Sequence, residues 1–346
     1  MDSSAPKQKS LSKNQYAIGW IAALASERAA AEAMMDEEHD KPFDFTKPPT
    51  DNNSYSWGRI GVHNIVVASL PAGMYGQISA AAAAKDMVSS FPHIRAGLMV
   101  GIGGGIPQPD EEIDIRLGDI VVSEPSRRNG GVAQYDAGKA TAAGFELKGF
   151  LAAPPPALLN AVTKLKARHE RYEPRIPEIL QGMLTKNVRM AKARPGKPSY
   201  TYQGKEYDRL FQPEYGHAGG KTCSRCDVSQ EIERNERDTD DPEIHYGLIA
   251  SGNAVVKDAA DRAEVVRRLG GCLCVETEAA GLMNNFPCLV VRGICDYADA
   301  HKNDRWQPYA AAAAAAYAKE LLGVLDGGEV ESTRLVVEVL DGSTKV

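Results

Sequence analysis

Only six of the 346 residues are cysteine, aromatic residues make up 7% of the chain, and no apolar run approaches the roughly 20 residues a membrane-spanning helix needs. So little cysteine excludes a disulfide-stapled scaffold, and a chain this long buries a substantial core without one. Cys272, Cys274, Cys288 and Cys295 lie in apolar, strand-like runs, where reduced thiols behave as small hydrophobes. A basic excess is missing too: 40 Lys and Arg stand against 46 Asp and Glu, for a net charge of −6. Nucleic acid and anionic membrane are therefore not expected partners, and a small molecule is favoured. The leading MDSSAPKQKSLSKNQ lacks the apolar core of a secretory signal, so a cytoplasmic location is expected.

Two further absences concern motifs. The glycine run Gly101-Ile102-Gly103-Gly104-Gly105 is not followed by GK[ST], which excludes a P-loop, and the GxGxxG spacing at a helix entrance is missing. Cys223 and Cys226 form the one CxxC. With His217 and Asp227 they make half of a zinc site, but no second CxxC or HxxxH completes four ligands, so neither a metal nor an organic cofactor is expected.

What is present is an alternation of short apolar runs and helical patterns. The runs span 16–24, 60–70, 96–105, 118–125, 244–252, 272–277 and 287–296. Their apolarity is continuous rather than alternating, which marks strands buried on both faces of a mostly parallel sheet. Helical patterns fill 26–37, 78–90, 154–169, 257–269, 277–285 and 307–325, with Ser, Thr, Asp or Pro near their starts. The expectation is an α/β fold: one domain over 15–326 with a central mixed, mostly parallel sheet flanked by helices. Residues 1–14 read as a disordered lead, the polar stretch 170–243 as an insertion or lid, and 327–346 as a tail.

In open α/β sheets, ligands bind at the carboxyl ends of strands. Beside the glycine run, three strand ends deliver carboxylates: Glu27 after YAIGWIAALAS, Glu276 and Glu278 after CLCV, and Asp296 closing PCLVVRGIC. Each has an ordinary alternative as a helix-start or capping residue. Their joint occurrence favours a site.

The set IAALASE, VGIGGGIPxxxxxxxIRLGDIVVS, YGLIASGNAV, VETEAAGL and VRGICDYAD resembles the nucleoside phosphorylase and nucleosidase superfamily over roughly residues 16–325. That superfamily includes purine nucleoside phosphorylases, uridine phosphorylases and methylthioadenosine/S-adenosylhomocysteine nucleosidases. The likeness is greatest to its fungal branch, where such a domain often precedes signalling or repeat modules; here the chain is expected to end without them. The resemblance implies a nucleoside phosphorylase-like domain and assigns roles. Glu278 matches the glutamate that holds the ribose hydroxyls, with Thr277 alongside. Asp296 matches the acid that protonates purine N7, and Arg292 an arginine supporting it from behind. Val255 and Val256 fall where the base packs, and Gly103 and Gly104 where the sugar is cradled. Glu27 aligns with the glutamate that activates water in the nucleosidase branch.

Breaking an N-glycosidic bond builds positive charge on the sugar and negative charge on the departing base, so these groups act on the transition state. Asp296 is expected to donate if apolar neighbours such as Val291, Ile294 and Cys295 raise its proton affinity. Glu27 repels phosphate, and Ile102 removes a hydroxyl donor that phosphorylases carry, so hydrolysis is favoured. Arg28, Arg127 and Arg128 keep phosphorolysis open. Tyr135, Asp136 and Gln134 are candidates for a 5′-hydroxyl contact, which favours adenosine over 5′-thio nucleosides; inosine and guanosine remain open. The expected activity is a purine nucleoside N-ribohydrolase converting adenosine to adenine and ribose, from a homo-oligomer with the dimer favoured. A phosphate-dependent purine nucleoside phosphorylase is the alternative, and a non-catalytic nucleoside-sensing domain is an alternative of another class.

Overall fold

The computed structural model describes residues 9–342 apart from Arg127 and Ala143. Their backbone builds one domain around an 11-stranded sheet. The main path runs Ile244–Gly247, Ile120–Ser123, Cys288–Asp296, Ala96–Gly105, Ile18–Ala22, His63–Ser69, Tyr55–Ile60 and Glu37–His39. Cys288–Asp296, Ala96–Gly105, Ile18–Ala22 and His63–Ser69 lie parallel to their neighbours in this series. Ile120–Ser123 pairs antiparallel with Cys288–Asp296, Tyr55–Ile60 with His63–Ser69, and the edge strand Glu37–His39 with Tyr55–Ile60. The sheet is therefore mixed and mostly parallel, as the continuous apolar runs imply. Every residue of Ile18–Ala22 and Cys288–Asp296 is buried, because helices cover both faces.

The helix Gln307–Val324 supplies most of one cover. Its run of seven alanines, Ala310–Ala316, is wholly buried, and small side chains let the helix lie close to the strands. Gly293 is where this approach is tightest: a Cβ there would collide with the backbone of Ala310. Ala25–Ala33 and Ile176–Lys186 pack on the same helix.

Several expectations change. The run 96–105 is strand to its end, so Gly101–Gly105 lies within the strand and does not form a loop after it. None of these glycines has a positive φ. The helix expected over 277–285 is only a short 3-10 turn, Ala279–Gly281, and the run 244–252 divides at Leu248 into two strands. Residues 1–8 of the expected lead lie outside the described residues. Residues 9–15 are placed: Lys9 bridges His39, Leu11 is in the core, and Ser12 caps a turn over Lys13–Gln15. The polar stretch from 170 begins with the core-packed helix Ile176–Lys186, which buries Ile176, Leu180 and Met183. Part of the expected tail also folds back, in the helices Gly327–Ser332 and Val336–Leu340, with Val330 and Val336 buried.

Candidate functional site

A cavity of about 310 Å³ opens at the carboxyl ends of the central strands. Glu27, Thr277, Glu278, Asp296, Gly103, Gly104, Val255 and Val256 all line it, so eight of the expected site residues converge although they come from five separate stretches of chain. Val256 is buried and Val255 is 55% exposed at the mouth.

Glu27 sits at the third position of the helix Ala25–Ala33 and is buried. Its Oε2 accepts the N–H groups of Ala23 and Leu24 at 2.6 and 2.8 Å, and its Oε1 accepts the Ile102 N–H at 2.8 Å. It thus performs the ordinary helix-start role as well. A carboxylate has about four acceptor positions, so three backbone donors leave one for a water or a ligand hydroxyl. Burial raises its proton affinity above the usual carboxylate range, against the pull of Arg292 and the backbone donors.

Across the strand Ala96–Gly105, the fully buried Arg292 is ion-paired to Glu276 and stands 3.8 Å from Oε2 of Glu278. Its Nη1 donates to the Ile102 carbonyl at 3.3 Å. Gly101 separates Arg292 from Glu27, and a Cβ at that position would run into both the guanidinium and the carboxylate. Glu278 accepts from Thr277 Oγ1 at 2.5 Å and from the Gly76 N–H at 3.2 Å. Glu276 accepts the N–H groups of Glu278 and Ala279, which pins the strand end carrying Thr277 and Glu278. Burial raises the proton affinity of Glu276 as well, with Arg292 opposing and Glu278 adding to the rise.

Asp296 is buried, yet its surroundings are not the apolar ones expected. Lys302 Nζ lies 2.7 Å from its Oδ2, and the Ala298 N–H donates to its Oδ1 at 2.9 Å. Cys295 Sγ is 3.1 Å from Oδ2. Burial works against the charge on Lys302, but Asp296 outweighs it and raises the ammonium's pKa. Gly104 leaves the room this needs, since a Cβ there would stand 2.9 Å from Asp296 Oδ1. Behind Asp296, Tyr297 donates to Asp208, and Arg234 bonds both, at 2.8 Å to the phenol oxygen and 2.8 Å to Oδ2 of Asp208. The polar stretch expected as a lid is thus the back wall of the site at this point.

Some expected contacts are not made. Tyr135 and Asp136 do not line the cavity: the Tyr135 hydroxyl donates to the Ala254 carbonyl, and Asp136 accepts the backbone and side-chain N–H groups of Asn253. They hold the loop carrying Val255 from outside the cavity. Gln134 is bonded to Gln77 and Asp136. Arg28 is committed to Glu32, Ser54, Ser56 and Ser69. Arg128 does not line the cavity, and Arg127 lies outside the described residues.

Lys302 is the site residue that sequence reasoning missed, and the ion pair of the expected strand-end acid Glu276 with Arg292 was not foreseen either. Glu276 stood in plain view as the first acid of VETE. Lys302 sits in a polar ADAHKN segment with nothing to single it out, and only the turn after the strand brings it back to Asp296.

Comparison with solved structures assigns the fold. 5′-Methylthioadenosine/S-adenosylhomocysteine nucleosidase of Neisseria meningitidis superposes with a TM-score of 0.55 at 17% identity, over 89% of this chain and 99% of that one. Futalosine hydrolase of Helicobacter pylori gives 0.53 at 16% identity, over 89% and 97%. The chain has the nucleoside phosphorylase and nucleosidase fold. No protein-family model matches it. A curated relative, a nucleotide-binding leucine-rich repeat (NLR)-like protein of Hyaloscypha variabilis, is 45% identical over 336 residues, and this chain spans 96% of its own length but about a third, 32%, of that protein. Among the described residues no helix is long and apolar enough to cross a membrane.

Proposed function

We propose that the protein is a purine nucleoside N-ribohydrolase, with adenosine as the preferred substrate. The observation that carries this reading is the convergence of Glu27, Glu278 and Asp296 on one strand-end cavity. In the proposed mechanism Glu278 holds the ribose hydroxyls, and Thr277, Gly103 and Gly104 line the sugar site. The purine packs on Val255 and Val256, with N7 facing Asp296. Glu27 takes a proton from water as it attacks the anomeric carbon, and Asp296 delivers a proton to N7 as the glycosidic bond breaks. The two proton movements balance: one leaves the water, and one reaches the base.

The charge of the site supports hydrolysis over phosphorolysis. Glu27, Glu276 and Glu278 surround a single guanidinium, Arg292, while Asp296 and Lys302 offset each other. When ionised, the glutamates leave an excess of negative charge beside the sugar position, which favours a ribosyl cation and repels a phosphate dianion. The commitment of Arg28 to four other residues removes the nearest candidate for binding that phosphate. Adenine suits Asp296 because N7 and the exocyclic amine present a joined pair of polar edges to one carboxylate.

We further propose a cytosolic homodimer related to fungal members of the superfamily. Met74, Tyr75 and Ile78 leave apolar side chains exposed, and Tyr75 borders the cavity mouth. The test incubates purified protein with adenosine, inosine or methylthioadenosine, with and without phosphate, and identifies the sugar product. Free ribose at the same rate without phosphate is expected from adenosine. Strictly phosphate-dependent ribose 1-phosphate would overturn the hydrolytic reading, and tight binding with no base released would make the domain a sensor.

A further inference from the structure

The stretch 205–231 contains a second constellation that plays no part in nucleoside cleavage. His217, Cys223 and Cys226 each offer one ligand atom, and those atoms lie within 4.8 Å of one another. We propose that they bind one zinc-type divalent ion, which closes the loop 217–226 of this polar stretch beside the wall behind Asp296.

Four observations support the assignment. The first is donor chemistry: two thiols and an imidazole are the soft and borderline donors that select zinc over magnesium or calcium. The second is that the ligand-bearing turn is already built. Cys226 N–H donates to the Cys223 carbonyl at 3.0 Å, and Arg209 donates to the carbonyls of both cysteines while pairing with Glu231. The third is that both cysteines are free, so two thiols stand beside the imidazole with no disulfide joining them. The fourth lies beside the cluster. His301 is buried, its Nε2 has no hydrogen-bond partner, and its ring stacks on Phe211 at 4.1 Å and meets His217 edge-on at 5.4 Å.

Asp227, the fourth residue singled out in sequence, does not join, because its carboxylate accepts the Ser229 N–H. Asp119, Glu243 and His245 also lie close together, but Arg237 already covers both oxygens of Asp119 at 2.8 Å, so that group is a satisfied ion-pair network.

Binding is balanced as one Zn²⁺ displacing two protons from the Cys223 and Cys226 thiols, with neutral His217 as the third ligand. The ion's place explains what it does. Cys223 Sγ is 3.6 Å from the His301 carbonyl, and Cys223, His301 and Asp296 border one cavity of about 300 Å³ on the far side of Asp296 from the nucleoside cavity. The role is structural, and it is independent of the reading of the nucleoside site.

The test uses the full chain, purified without a histidine tag under reducing conditions. Elemental analysis is expected to find about one zinc per chain, and less than a tenth of that in a Cys223→Ser/Cys226→Ser variant. After chelation, titration with Co²⁺ should produce thiolate-to-cobalt charge-transfer bands and the intense visible bands of tetrahedral coordination. Should the double variant not fold, the wild-type cobalt spectrum together with His217→Ala, which should weaken binding at least tenfold, decides the matter. The proposal fails if the wild-type chain neither carries nor takes up zinc, if its cobalt complex lacks thiolate bands, or if His217→Ala binds as well as wild type.

Discussion

Lys302 Nζ stands 2.7 Å from Asp296 Oδ2 inside the wall of the nucleoside cavity, so the proposed acid carries its own counter-charge. The proton bound for N7 therefore has a second holder at hand, and Lys302 is placed to replenish Asp296 or to share the proton with it. Replacing Lys302 with Met is expected to lower kcat at least tenfold. It removes the ammonium whose pKa Asp296 raises, so the alkaline limb of the rate profile is expected to move to lower pH. A pH series of kcat for both forms checks this, and an unchanged profile would show that Lys302 serves packing alone.

Glu27 must be ionised to accept a proton from water. Its proton affinity is raised by burial, so activity is expected to fall on acidification at a pH above that of an ordinary glutamate, about 4.3. Glu27→Gln should reduce kcat by about 10²- to 10⁴-fold, the usual contribution of a positioned base. The amide also sets an N–H against one of three backbone N–H donors, at a cost of about 1–3 kcal/mol. Rates are therefore compared at a temperature where circular dichroism shows both proteins folded.

Gly101 is where Glu27 and Arg292 meet. Gly101→Ala is expected to displace one or both, lowering kcat about a hundredfold, while overpacking the strand costs about 1–3 kcal/mol. Steady-state kinetics alongside a urea titration separates the two effects. Full activity would mean that the strand yields without moving the carboxylate.

Asp119 ties the polar stretch to the sheet through Arg237 and His245. Burial opposes its charge, but the hydrogen bonds from Arg237 and His245 and the guanidinium charge outweigh burial and hold its pKa below the usual range. A depressed carboxylate contributes stability above its unfolded pKa of about 3.9 and loses it as pH falls through the lower folded value. Acid unfolding should therefore steepen below about pH 4. Asp119→Asn should cost about 1–3 kcal/mol at neutral pH, because the half-buried Arg237 keeps Glu243 and the Asp114 carbonyl but loses its paired bonds to the buried carboxylate. Thermal and urea unfolding measure both.

The α/β class was legible because strands buried on both faces must be apolar at every position, and Ile18–Ala22 and Cys288–Asp296 show that pattern in plain text. Glu27, Glu278 and Asp296 were legible because each directly follows such a run, and strand ends in this architecture converge. The edge strand Glu37–His39 and its antiparallel neighbour Tyr55–Ile60 were not, since antiparallel strands near a sheet edge carry polar residues and lack the continuous run. The helix Ile176–Lys186 was hidden by the polar composition around it, although one face carries Ile176, Leu180 and Met183 into the core.

Sequence alone thus determined the chemistry on offer: which acids stand at strand ends, and which thiols and imidazole stand near one another. Tertiary structure decided how they are used. It moved Gly101–Gly105 from loop to strand, where bare Cα atoms admit the side chains of Glu27, Arg292 and Asp296. It took Tyr135 and Asp136 out of the cavity, brought Lys302 to Asp296, and gathered His217 with Cys223 and Cys226. The physical reason is common to all of these. An ion pair or a ligand set depends on distances of a few ångströms between residues whose separation along the chain carries no periodic signal, and only packing sets those distances.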